Sequence, residues 1–168
     1  MNSLISKSNL PKFFEKVISK YEVVAPVDKR GVVTFSAIKS FSEIDLTRQS
    51  DYSAKKYFLP PKETLFTYKK DRPEPFSDAK SRIIVMRPCD ANALINTDKV
   101  FLADPPDEGY AERRRNTRLF VFKCTQPYEN CFCTSVNSSD TTNYDLMFTD
   151  VGDKYIISIG TCEGKEFL

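Results

Sequence analysis

Two continuous apolar runs, Arg82-Ile-Ile-Val-Met-Arg87 and Arg118-Leu-Phe-Val-Phe-Lys123, constrain the fold more than any other feature of this chain. Runs without polar alternation belong to strands covered on both faces, which occur in sheets flanked by helices. The sequence between them reads as two helices. Residues 91–102 repeat apolar positions at helical spacing behind Asp90 as a candidate cap, and residues 107–115 form the second helix. Strand, helix and strand over this distance predict a right-handed parallel crossover, with both apolar strands in one sheet.

The flanking segments extend that sheet. Residues 9–21 open on Asn9 and Pro11 and then place Leu10, Phe13, Phe14, Val17, Ile18 and Tyr21 on one helical stripe. Residues 22–27 and 32–36 read as strands joined by the turn Asp28-Lys-Arg-Gly31. A short helical turn is expected within 50–56, Pro60-Pro61 breaks the chain, and residues 63–68 resume as a strand. Residues 69–81 are polar and proline-bearing, as in an exposed loop, and 136–143 form another polar loop. Residues 144–149 and 155–159 form a hairpin around 150–154, and no internal repeat is present. The expected fold class is α/β: a single mixed-sheet domain over residues 1–168, with a βαβ crossover unit and a C-terminal hairpin.

Composition narrows the chemistry. A chain of 168 residues buries roughly 70% of its unfolded surface, so its core does not depend on disulfides. No run approaches the roughly 20 apolar residues of a membrane-spanning helix, and the start Met1-Asn-Ser-Leu-Ile-Ser-Lys7 does not read as a signal peptide. The expected location is the cytoplasm, with no membrane partner. The absence of histidine excludes zinc sites that mix cysteine with histidine, and Ser-His-Asp or Cys-His catalytic groups. A formal net charge of +2 without a recognition motif argues against nucleic acid as a partner.

The five cysteines therefore stand out, because in a reducing compartment clustered thiols point to metal or redox chemistry. Cys124, Cys131 and Cys133 fall within ten residues, just after the second apolar strand. Cys89 follows the first, at a helix start expected to favour its thiolate. If the two strands are neighbours, all four thiols meet at the carboxyl edge of the sheet, where open α/β folds bind ligands. Both tetrahedral zinc and a 4Fe-4S cluster accept four cysteines. Paired Cys-x2-Cys knuckles are lacking, and this spacing leans toward a cluster. Arg87, Lys123 and Arg113-Arg114-Arg115 are placed in sequence to offset its negative charge. Cys162 stands apart and is expected to be a small buried hydrophobe.

Several short motifs agree, in order, with one family. Phe58-Leu-Pro-Pro-Lys-Glu-Thr-Leu-Phe66, Arg87-Pro-Cys-Asp-Ala91 and Asp98-Lys-Val-Phe-Leu102 are followed by the Cys-Phe-Cys-Thr-Ser ending of the cysteine loop and by Tyr144-Asp-Leu-Met-Phe-Thr-Asp150. Together they resemble the beta subunit of cytosolic sulfhydrogenases and the A subunit of anaerobic sulfite reductase. The resemblance implies an iron-sulfur electron-transfer subunit of an anaerobic oxidoreductase complex, without catalytic residues of its own. It would relay electrons between a flavin-bearing subunit and a catalytic subunit of hydrogenase or sulfite-reductase type. Cys89, Cys124, Cys131 and Cys133 become the candidate ligands of one 4Fe-4S cluster, which aerobic preparation would readily strip. Members of that family continue into a ferredoxin-like domain with two further clusters, so residues 1–168 are expected to be the N-terminal part of a longer iron-sulfur subunit. The competing expectations are a docking scaffold with a structural four-cysteine zinc site or no metal, and a thiol redox enzyme acting through Cys131 or Cys133.

Overall fold

The structure is a computed structural model that describes residues 2–75, 77 and 80–168. Its main sheet takes six strands from the segments predicted above, the first five being β2 (Glu22–Lys29), β3 (Val32–Ala37), β6 (Arg82–Met86), β7 (Thr117–Phe122) and β8 (Leu146–Asp150). β9 (Lys154–Ile159) pairs antiparallel with β8 as the C-terminal hairpin. The N-terminal strand β1 (Asn2–Ser6) closes the far edge beside β9. The order is β1-β9-β8-β7-β6-β2-β3, so the seven-stranded sheet has a parallel centre (β2, β6, β7, β8) and antiparallel margins.

Both apolar runs lie side by side and parallel, with Ile84 opposite Leu119 and Met86 opposite Val121. α2 (Pro88–Phe101) and α3 (Glu108–Arg115) connect them, which makes the predicted crossover. α2 starts three residues earlier than its periodicity suggests. Pro88 occupies the first turn, where its missing N–H costs nothing, so Arg87 becomes the N-cap and Cys89 and Asp90 lie inside the helix. Asp107 caps α3 by accepting from the Tyr110 amide at 2.7 Å.

Strand alternation divides the core into two layers. Val23, Ile83, Val85, Phe120, Phe122 and Phe148 face α1 (Leu10–Ile18), whose Leu10, Phe14 and Val17 are buried against them. Val24, Ile84, Met86, Leu119, Val121 and Met147 face the other way, toward Ala91 and Leu94 of α2 and Tyr110 of α3. Aromatic rings fill the first layer, Phe122 and Phe148 being stacked at 4.7 Å. Burying each such side chain contributes about 1.5–3 kcal/mol.

Three elements carry no strong local signal. β1 is five residues of mixed polarity held by its partner β9. β4 (Phe66–Lys69) and β5 (Arg72–Pro75) make a separate two-stranded sheet where a strand and an exposed loop were expected. Its turn residues, Lys70 and Asp71, both take positive φ, as a tight hairpin demands, but without the glycine that announces one. Positions 76, 78 and 79 of the expected 69–81 loop, like Met1, lie outside the described residues. The short α4 (Cys162–Lys165) is capped by the Thr161 hydroxyl, which accepts from the Gly164 amide at 3.0 Å. Among the described residues, no helix is long and apolar enough to cross a membrane.

Candidate functional site

Parallel pairing of β6 and β7 places their carboxyl ends side by side, and the candidate site is built on that edge. After β6 the chain turns into α2 at Arg87-Pro88-Cys89, which puts Cys89 in the first helical turn. After β7 it stays beside β8 for one more residue, with the Lys123 amide donating to the Phe148 carbonyl at 2.9 Å. It then leaves the sheet as the cysteine loop. The loop folds back through a turn in which the Cys131 amide donates to the Tyr128 carbonyl at 3.0 Å.

Cys89, Cys124, Cys131 and Cys133 line one cavity of about 190 Å³. A neighbouring cavity of about 460 Å³ is lined by Cys89, Cys131 and Cys133 and by the exposed Phe132. Cys89 and Cys133 line both cavities together. The Tyr128 amide donates to Cys131 Sγ at 3.3 Å, the kind of N–H contact that stabilises a thiolate or a cluster ligand. The Cys124 thiol donates to the Gln126 carbonyl at 3.2 Å. Among the described residues, no three Cys, Asp or Glu side chains stand at the close spacing of a formed metal site. The four thiols thus share a cavity without being drawn into a coordination shell.

Two expectations about these sulfurs change. Cys89 does not favour the thiolate: burial, then the Asp90 charge and Cys133, push its thiol up to about 12. The helix start does not offset the loss of water. Cys162 is exposed, at the opposite edge of the sheet beyond β9, rather than buried.

The basic residues separate in the same way. Arg113, Arg114 and Arg115 end α3 just before β7 begins, so they sit at the amino edge, away from the thiols. Arg113 pairs with Glu63 at 2.7 Å and Arg114 with Asp98 at 3.2 Å, which makes them structural rather than charge-offsetting for the site. Arg87 and Lys123 do reach it, and both line a third cavity of about 360 Å³ beside the four-thiol one.

Tethers fix the loop to the scaffold. Asn92 of α2 donates to the Asp140 carbonyl at 2.6 Å, the Asp140 carboxylate pairs with Lys123 at 2.9 Å, and Asn143 donates to the Ala91 carbonyl at 2.8 Å. Lys123 holds the Asp140 carboxyl below its ordinary range. Tyr128 bridges to another segment: its hydroxyl donates to the Leu46 carbonyl at 3.0 Å and its ring lies under the Arg87 guanidinium at 4.7 Å. Sequence reasoning passed over Tyr128 and Gln49, which lines both thiol cavities. For Tyr128 a signal existed, since an aromatic in an otherwise polar cysteine loop has little reason to be there unless it packs.

The comparison with curated proteins agrees with the motifs. The chain is 28% identical over 165 residues to Sulfhydrogenase 2 subunit beta of Pyrococcus furiosus, a match covering 94% of this chain. The chain is thus similar to a sulfhydrogenase beta subunit. It spans about half the length of that relative, 48% of which is matched. No family model matches the chain. No solved structure matches it either.

Proposed function

We propose that this chain is an electron-transfer part of a cytoplasmic hydrogenase-type oxidoreductase, in which Cys89, Cys124, Cys131 and Cys133 hold one 4Fe-4S cluster. The observation that carries the reading is the shared cavity: four thiols from the ends of two adjacent parallel strands line it together. The relative's name, a sulfhydrogenase subunit, supports an oxidoreductase assembly of several chains. In such an assembly this chain is the N-terminal part of a longer iron-sulfur subunit, standing between a flavin-bearing subunit and a catalytic subunit of hydrogenase or sulfite-reductase type.

The donor set fits the group. Thiolates are the usual ligands of an iron-sulfur cluster, and four of them with no histidine match its demand. When bound, the cluster supplies one-electron transfer. The protein supplies the rest. Cys89 is anchored by α2, whereas the three loop thiols are carried on a segment tied down by Asn92, Lys123 and Asn143, and the Tyr128 amide donates to Cys131 sulfur. Cys89 must give up its proton to become a ligand, a cost that ligand binding offsets, since metal affinity and thiol ionisation are linked.

The test is the iron and acid-labile sulfide content of protein purified or reconstituted without oxygen, with an electron paramagnetic resonance spectrum after reduction. About four irons per chain, lost on Cys89→Ser or Cys131→Ser, is the expected result. A single zinc in their place would make the site a structural four-cysteine staple of a docking domain. No metal under those conditions would remove the relay role from this part of the subunit.

A further inference from the structure

We infer that Arg87 is a positioning residue for the proposed cluster, the fixed positive charge that raises its reduction potential. Arg87 can do this only if the cavity binds the cluster proposed above.

Arg87 is 8% exposed and lines both the four-thiol cavity and the adjoining 360 Å³ cavity. Its Nη2 donates to the Leu46 and Arg48 carbonyls, each at 2.7 Å, and to the Tyr128 hydroxyl at 3.0 Å. All three acceptors are neutral. The other well-buried arginines have carboxylates: Arg82 pairs with Glu22 at 2.6 Å, Arg113 with Glu63 at 2.7 Å and Arg114 with Asp98 at 3.2 Å. No ion pair of Arg87 occurs among the described residues. Asp90 takes the Arg87 backbone N–H, and the Asp90 and Asp45 carboxylates feel the Arg87 charge without forming an ion pair with its guanidinium.

Nε and Nη1 of Arg87 have no hydrogen-bond partner among the described residues, yet no side-chain nitrogen or oxygen there is both buried and unsatisfied. Those two nitrogens therefore keep some solvent exposure, in a side chain that lines both cavities. A largely buried cation with no carboxylate in direct contact is costly, and a fold that keeps one leaves room for an anion. Four thiolates around an iron-sulfur core supply that anion. Reduction adds a further negative charge, so a fixed cation beside the cluster stabilises the reduced state more than the oxidised one. Lys123, the other cation at this edge, is already paired with Asp140.

The experiment compares wild type, Arg87→Gln and Arg87→Lys, reconstituted without oxygen. Iron content and a redox titration followed by paramagnetic resonance are the readouts. Arg87→Gln is expected to load iron but to show about a tenfold lower reduced-to-oxidised ratio at a fixed potential, which is about 59 mV for a one-electron couple. Arg87→Lys, which keeps the charge and loses the fork, is expected to stay within about twofold of wild type. Loading of Arg87→Lys alone among the variants, at the wild-type potential, would also support the role. Equal shifts in both variants, no shift in Arg87→Gln, or failure of both variants to load while wild type loads would overturn it and leave the cluster reading standing. A wild-type chain that binds no iron would overturn the cluster reading and this role with it.

Discussion

Cys89 in the first turn of α2 and Cys133 at the far end of the cysteine loop line the same two cavities. Burial, then the Asp90 charge and the nearby Cys133, hold the Cys89 thiol protonated up to about pH 12. Alkylation requires the thiolate. On the metal-free chain at pH 8, iodoacetamide is therefore expected to modify the exposed Cys124 and Cys162 first and Cys89 at least about tenfold more slowly. Time-resolved peptide mass spectrometry checks the order, and early labelling of Cys89 would contradict the burial argument.

Gly160 passes so close to the neighbouring backbone that a side chain has no room. A Cβ there would stand 2.1 Å from the Tyr144 carbonyl oxygen and 2.8 Å from its ring. Because backbone rather than a flexible side chain is in the way, Gly160→Ala is expected to cost about 1–3 kcal/mol or more. Thermal unfolding would show this as a lower midpoint. Gly31, at φ +85 with open space around its Cβ position, tests backbone strain instead, and its replacement by alanine should cost less.

Asp145 ties β7 to the start of α4. One carboxylate oxygen accepts from the Leu119 amide at 2.7 Å and the other from the Thr161 hydroxyl at 2.5 Å, in a residue only 7% exposed. Asp145→Ala leaves the Leu119 donor buried without a partner, a loss of about 1–3 kcal/mol. Hydrogen exchange at the Leu119 amide should accelerate in the variant, and an unchanged rate would show that the bond contributes nothing.

Tyr110 makes stability pH-dependent on the alkaline side. Burial, then the 2.5 Å hydrogen bond to Asp98 and its charge, raise the phenol above its ordinary value of 10.0. The folded state thus keeps a proton that the unfolded chain releases. The stabilisation is complete below that ordinary value and is lost as pH rises through the higher folded one. Denaturant melts between pH 8 and 11 are expected to show wild type weakening at the alkaline end and Tyr110→Phe staying flatter. The variant should be about 1 kcal/mol less stable at neutral pH.

What could be read from the chain and what could not differ in range rather than in importance. β6, β7, α1 and the β2–β3 turn were legible because each is announced locally, by an apolar run, a helical stripe or Gly31. β1 and the β4–β5 hairpin were not, since one depends on pairing with β9 and the other turns at Lys70 and Asp71 without a glycine. The candidate thiols were legible from their density. That Cys89 shares a cavity with the other three follows from the side-by-side pairing of β6 and β7.

By itself, then, the sequence determined the buried strands, the crossover between them and the thiols available as ligands, because periodicity and residue type act over a few neighbours. Only the tertiary structure decided that Cys89 is a protonated thiol, that Cys162 is exposed, and that Arg87 and Lys123 rather than Arg113, Arg114 or Arg115 reach the site. Protonation and charge pairing depend on desolvation and on groups far away in the chain, and no local pattern records which edge of a sheet a residue will reach.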